Sequence, residues 1–493
     1  MRLNDLLTAL GRTYTFKPEQ SQSLIDFISE TESLKSYPFY FSYNVCRAIG
    51  EKSVLHAPKI ESQLEKLLKF HDEVLGMLTI NGSESGRRRA SQLHQNFANI
   101  YSKLYDTDSA KNTTNLEKAF EHSIKSADYT ISEAHRAFSL GFAAEFSRKI
   151  FQNNKDTKWA DISLSHYQQS LELSQNLSHK AHCKSYMADI KRDLYEITLD
   201  VNDAKDAINY YLQSANELET IKPTQVFHNF AYAGDVAFSV FVNTDDVNFL
   251  QKSHALYYNA LRTNPAPKNL ASTHLNIARN ARNLYKKLHT RSYIDETIHH
   301  TTCALEKGLG PVATGYAVSN LSDILTKIPH NFVFPPQVDT IIELVTKTEL
   351  DDSRAHISLA SIYRGKFTQT NNRDYIKLAF DSYDKSIELS LNEKLRAKNL
   401  ALAGKAAYSF YIITQDISFL PQAFEYHQRA TPFEKESSYY AGNCAQKLYE
   451  ATKQEHWKNK SLAQYVQFLN SPTINEDISK INDTKEHIAE LSK

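Results

Sequence analysis

Glycine and proline are scarce, with 13 of each in 493 residues. Both break helices and build turns, so their shortage points to a largely helical chain with short connections. Charge of one sign is lacking too, because 57 Lys and Arg balance 57 Asp and Glu. A neutral chain has no overall pull on phosphate backbones, so nucleic acid is not the expected partner. The four cysteines, Cys46, Cys183, Cys303 and Cys444, lie far apart and form no CxxC pair. That pattern speaks against a disulfide framework or a structural zinc and suits reduced cysteines filling small core positions. No apolar run approaches the roughly 20 residues of a membrane span. The greasiest stretch is Ala237–Val242. The opening "MRLNDLLTALGRTYTFK" lacks the apolar core of a secretory leader, so a cytoplasmic protein away from membranes is expected. There is no Walker loop, no GxGxxG after a strand, no GxSxG elbow and no HExxH. Neither catalysis nor a cofactor nor a metal is therefore expected.

Tyrosine (28) and phenylalanine (25) are plentiful beside tryptophan (2) and methionine (3). Their placement repeats. "DYIKLAFDSYDKSIELS" at 374–390 echoes "KWADISLSHYQQSLELS" at 158–174. Taking the small residue of this pattern as an anchor, equivalents stand at Ser123, Ser170, Ser214, Ala260, Ala304, Ser386 and Ala430. The interval is about 44 residues, with a double step before Ser386 that places a weaker apolar anchor at Val345 and a further one at Phe468. Three residues before most anchors lies a ring, as at Tyr167, Tyr211, Tyr257, Tyr383 and Tyr465. Eleven before lies another, as at Trp159, Phe249, Tyr375 and Trp457. These offsets trace one stripe of a helix. A first helix precedes it, marked by a second small residue at Ala188, Gly234, Ala278, Ala360, Gly404 and Gly442, with Gly141 at a shifted offset. Glycine inside a helix costs about 1 kcal/mol relative to alanine, so its recurrence there predicts a packing requirement. Polar runs such as "QNNKDTK", "VNTDD" and "TQTNNR" read as the turns between the two helices.

A small residue in the first helix, an aromatic opening the second, and then Tyr-x-x-Ser/Ala-Leu together resemble the tetratricopeptide repeat. The usual repeat of that family is 34 residues. This chain departs from it at about 44, which the sequence reading assigns to a longer first helix and loop. In this it is most similar to the long-period arrays of the family, such as those beside caspase-like peptidase domains or in kinesin light chains. The resemblance covers roughly residues 88–470. It implies an all-α fold, a right-handed α-solenoid of antiparallel helix pairs, in which first helices line a groove that holds a protein or peptide. The expected divisions are an N-terminal helical cap at 1–87 with a degenerate repeat at 36–80, repeats at 88–311, an irregular repeat and hinge at 312–350, repeats at 351–470, and a C-terminal tail at 471–493.

Function should then lie on first-helix residues that do not repeat. His135, His182 and His228 each stand six residues before the small residue and could line a groove for an acidic or aromatic peptide. Packed helices stand about 8–10 Å apart, too far for three such histidines to share a metal. His299 and Cys303 face one way at i, i+4, but two ligands are too few for a site. Later first helices carry Asn276, Arg279, Arg282 and Asn283, then Arg354 and Arg364, then Lys398 and Lys405. This basic inner stripe could fix carboxylates by charge-assisted bonds, and the alternative is ordinary solvated helix charge. Arg87, Arg88 and Arg89 are either a patch for an acidic partner or a solvated helix start. The irregular repeat contains "IPHNFVFPPQ", where Pro335 and Pro336 suit a helix start and Pro329 a break. The sequence therefore reads as a non-catalytic scaffold or adaptor for a protein or acidic peptide. Its alternatives are a peptide-responsive regulatory sensor, an RNA-binding helical repeat, and an enzyme within the first 85 residues, which no motif supports.

Overall fold

A computed structural model describes residues 18–49, 61–78, 83–108, 110–219, 221–326, 333–348, 350–471 and 478–492. Pro329 and the opening seventeen residues lie outside that set, as do 50–60 of the expected degenerate repeat. The described chain is helical, with no strand, and it divides into two compact lobes, Met1–Thr263 and Asn264–Lys493.

The first lobe begins with α1 (Pro18–Glu30), α2 (Phe39–Ile49) and α3 (Leu64–Met77). Leu24, Ile28, Val45, Leu67 and Phe70 form their shared core. Helix pairs follow: α4 (Glu84–Thr107) with α5 (Thr114–Tyr129), α6 (Glu133–Asn154) with α7 (Thr157–Leu173), α8 (Leu177–Thr198) with α9 (Val201–Leu218), and α10 (Pro223–Thr244) with α11 (Val247–Arg262). The second lobe holds α12 (Pro267–Leu288) with α13 (Ser292–Glu306), then α14 (Pro311–Leu325) and α15 (Gln337–Thr346). It continues with α16 (Ser353–Thr370) and α17 (Asp374–Glu388), α18 (Glu393–Thr414) and α19 (Phe419–Ala430), α20 (Glu436–Thr452) and α21 (Glu455–Leu469), and ends on α22 (Ile478–Leu491). Each lobe is thus a solenoid of antiparallel helix pairs. Such hairpins bury their apolar stripes only by stacking on neighbours.

The anchors are more than small. Ser170 Oγ donates to the Ala137 carbonyl at 2.6 Å, and Ser214 Oγ to that of Ala181 at 2.7 Å. Seven residues before the anchor, nearer the start of the second helix, Ser163, Ser253 and Ser461 donate to the carbonyls of Ala144, Gly234 and Gly442. Each bond pins a second helix to its first at a fixed register, for a net gain of about 1 kcal/mol. The recurrent glycines admit rings. A Cβ at Gly234 would stand 3.2 Å from the Tyr257 ring, and one at Gly404 2.7 Å from that of His427.

The turns correct one expectation. The first helices α6, α8, α10, α12 and α18 each run for 22 residues, and the polar runs mostly belong to their ends. The long interval therefore resides in the helices rather than in loops. Each of these helices, like α16 and α20, ends on a left-handed residue that is not glycine: Lys155, Leu199, Asp245, His289, Asn371, Gln415 and Lys453. Beyond it, Asp156, Asp200 or Asp246 caps the second helix by accepting a backbone N–H bond. Left-handed backbone costs a residue with a Cβ about 1–2 kcal/mol, partly offset in glycine by its greater unfolded-state freedom. Leu199→Gly, at an exposed position with φ 57°, should accordingly raise stability by about 1 kcal/mol. A rise in the urea midpoint of the full chain checks this.

The irregular repeat departs from the pairing. α14 packs on α12, α13 and α16, while α15 packs on α13. Pro336 stands at the N-cap of α15, as a helix-opening proline should.

Candidate functional site on the first-helix stripe

Successive first helices lie against one another, as in α6 with α8, α12 with α14, α14 with α16, α16 with α18 and α18 with α20. Among the described second helices such contact is close only between α13 and α15. These contacts set first helices side by side, and their unburied residues form a stripe.

The left-handed caps give a common register for that stripe. Ten residues before them stand Glu145, Asp189 and Asp235 in the first lobe, and Arg279, Ser361, Lys405 and Asn443 in the second. This register meets the ring of the second helix. Tyr211 Oη donates to Asp189 Oδ1 at 2.5 Å, Tyr257 Oη donates to Asp235, and Tyr465 Oη donates to Asn443 Oδ1 at 2.6 Å. Burial, with the Asp189 carboxylate beside it, pushes the Tyr211 phenol far up, so it remains a donor. Where the register turns basic the tyrosine is gone, and His427 lies within the field of Lys405.

In the first lobe the stripe is neutralised from within. Arg192 donates to Asp193 Oδ1 at 2.8 Å and to Asp189 Oδ1 at 3.3 Å. Arg148 lies over the Tyr186 ring at 4.8 Å, and Arg192 over that of Tyr232 at 6.0 Å. Lys184 pairs with Glu217 and Lys191 with Asp203, at 2.6 and 2.7 Å. Between α6 and α8 lies a cavity of about 190 Å³ lined by Phe138, Phe142, Glu145, Tyr186 and His182.

The predicted histidines do not share one site. His135 is the third residue of α6, whereas His182 and His228 are the sixth of α8 and α10. Phe138, not His135, holds the equivalent place. The long interval had shifted the offset in that repeat, which is why counting from Gly141 misled. His182 is half-buried with Nδ1 against the Ser178 carbonyl, His135 is exposed, and exposed His228 stacks on Tyr232.

The predicted cations divide into two groups. Arg282 donates to Asn320 Oδ1 at 2.8 Å and to Asn283 Oδ1 at 3.2 Å, and faces Asp323 at 3.6 Å. Lys286 pairs with the same Asp323. This is an internal network, with Arg279 and half-buried Asn276 on the same helix. The four cations of α16 and α18 differ. Arg354 and Lys398 share one register and are exposed, Arg364 is half-buried, and exposed Lys405 lies over the Tyr440 ring at 4.8 Å. None of the four pairs with a carboxylate among the described residues. The next first helix, α20, ends the basic run with Glu436, which is taken by Lys480 at 3.2 Å.

Elsewhere, Arg87 Nε donates to the Tyr129 carbonyl, and Arg89 lies over Tyr40 at 4.9 Å. Two of the three arginines at the α4 start are thus engaged within the fold. Cys46, Cys183 and Cys444 are buried, Cys303 is half-buried, and none is disulfide-bonded. His299 Nε2 lies 3.7 Å from Cys303 Sγ. No group of three or more His, Cys, Asp or Glu poised for a metal occurs among the described residues. No described helix is long and apolar enough to cross a membrane.

The periodic tyrosines were visible in the sequence, but the acidic register that accepts from Tyr211 and Tyr257 was not. Glu145, Asp189 and Asp235 recur at the repeat interval, and that recurrence was the available signal. No family model and no curated protein matches the sequence. Among solved structures, the chain is similar to the human IFIT1 dimer with PPP-AAAA at 14% identity and a TM-score of 0.30, covering 87% of this chain and 100% of that one. It is also similar to the APC/C hetero-tetramer Cut9-Hcn1 at 10% identity and a TM-score of 0.30, covering 99% and 95%. At such scores neither likeness carries weight, and the helical-repeat fold rests on the helix pairs themselves.

Proposed function

We propose that the chain is a non-catalytic scaffold whose second lobe binds an acidic protein segment along α16 and α18. The observation that carries this is the row Arg354, Arg364, Lys398 and Lys405, which stands on the first-helix stripe without carboxylate partners among the described residues, whereas Lys184, Lys191 and Arg192 of the first lobe are paired with carboxylates. Unpaired cations on a groove complement a negatively charged partner and speed its encounter. The fold supplies the platform, since first-helix side chains project from a rigid stack.

A polyglutamate peptide titrated into the full chain should bind, and the double variant Lys398→Glu/Lys405→Glu should weaken it about 30-fold, or about 2 kcal/mol. Circular dichroism monitors the fold. Undiminished binding by the folded variant would overturn the assignment of the groove. A single-stranded RNA that binds through the same lysines, with affinity falling steeply in salt while the peptide fails, would replace it with a nucleic-acid face.

A further inference from the structure

The irregular repeat opens a second feature on this same face. Gly365 of α16 carries no side chain, and the Phe334 ring occupies the space, 2.9 Å from where a Cβ would be. Phe334 N donates to Gln369 Oε1 at 2.9 Å, and Lys366 Nζ lies 2.7 Å from Asp339 Oδ1 of α15. These contacts hold the start of α15 onto α16. Between Phe334, the end of α14 and helices α16 and α18 lies a cavity of about 250 Å³.

Arg364 enters that cavity. It is half-buried, and no carboxylate among the described residues pairs with it. Asp339 is taken by Lys366, and Asp323 by Lys286 and Arg282. A guanidinium partly withdrawn from water without a counter-ion is unfavourable, and an anion reverses the sign. Ser409 adds a hydroxyl from α18, whereas the hydroxyls of Ser361 and Thr368 already donate to helix carbonyls. Of the remaining walls, Leu325, Phe334 and Ile413 are apolar, while Thr326 donates its hydroxyl to the Asp323 carbonyl and Gln369 accepts from Phe334 N. One forked cation, beside the Ser409 hydroxyl and a wall of Leu325, Phe334 and Ile413, matches a single carboxylate on an aliphatic stem better than a doubly charged phosphate, which favours a second cation.

We infer that this cavity seats one glutamate side chain of the bound segment, with the carboxylate on Arg364 and Ser409 and the methylenes against Leu325, Phe334 and Ile413. The inference rests on reading α16 and α18 as the groove for an acidic segment. It explains why a lone arginine stands unneutralised where α14 and α15 part company.

The test titrates the full chain with N-acetyl-glutamate α-amide, its glutamine analogue and inorganic phosphate, read by isothermal calorimetry. The glutamate probe should bind at least tenfold tighter than the other two. Arg364→Met should weaken it at least tenfold, and Ser409→Leu, which fills the cavity from another helix, should do the same. Lys377→Met, at an exposed position of α17 outside the cavity, should leave it unchanged. No binding, equal binding of the glutamine analogue, binding that survives Arg364→Met, or tighter binding of phosphate would each overturn the assignment. If the small probe binds through Arg364 while polyglutamate peptide ignores Lys398 and Lys405, the groove reading falls and the cavity stands. The reverse pattern removes the cavity alone.

Discussion

Gly442→Ala is expected to destabilise the second lobe by about 3 kcal/mol, against the usual gain from alanine in a helix. A Cβ there would lie 2.5 Å from the Tyr465 ring. The ring has nowhere to retreat. It is fully buried, and its hydroxyl lies between Asn443 Oδ1 at 2.6 Å and Gln446 Oε1 at 2.8 Å, with its one proton to donate. Relief of the clash would separate α20 from α21 or break those bonds. The control is Gly76→Ala in α3, where a Cβ would meet nothing within 4 Å, and where a gain of up to about 1 kcal/mol is expected. Urea midpoints of the two full-length variants decide the matter. A neutral or stabilising Gly442→Ala would show that the ring does not require the missing side chain.

Acid is expected to weaken the fold well above the range in which carboxylates titrate. Burial holds His71 down at about 4 and His427 at about 3, from an ordinary value of 6.5. His71 has both ring nitrogens against carbonyls, those of Leu67 and Cys46, which favour the charged ring and offset part of the burial effect, and the Phe97 ring beside it. His427 faces Ser437, the Tyr440 ring and the charge of Lys405. Because both folded values lie below the unfolded one, the native state binds fewer protons than the unfolded chain. Their contribution is complete above about pH 6.5 and is lost as pH falls toward 4 and then 3. At pH 5 the loss is roughly 2 kcal/mol for each histidine, at 1.36 kcal/mol per unit. Burial also holds His94, His122 and His274 down, so they act in the same direction; the Nδ1 atoms of His94 and His122 stand 3.0 Å apart, and those of His274 and His300 2.7 Å. Urea midpoints at pH 7.5 and 5 measure the total. His427→Tyr places in α19 the residue that Tyr211, Tyr257 and Tyr465 supply in their repeats, so it should keep the packing and remove one share of the slope. An unchanged slope would mean that His427 protonates in the folded state without cost.

The repeat, its helix pairs and the close glycines were legible in the amino-acid order because packing demands the same residue at the same place in every repeat. Ser170, Ser214, Gly234, Gly404 and the tyrosines are periodic for that reason. The functional face was legible only in part. Arg354, Arg364, Lys398 and Lys405 drew notice as charges on first helices, yet Arg282 looked the same until Asn320 and Asp323 were seen to take it up. Whether a charge is spent depends on what folding brings beside it, at separations of tens of residues that no local pattern records. The left-handed caps were hidden for a different reason: Lys155, Leu199 and Gln415 occupy a backbone conformation that glycine would announce, and the tertiary packing imposes it on them. Composition and periodicity alone thus determined an all-α chain of stacked hairpins. Only the three-dimensional packing decided which cations stay unpaired, that α15 leaves its place to open a cavity at Arg364, and that His135 does not stand with His182 and His228.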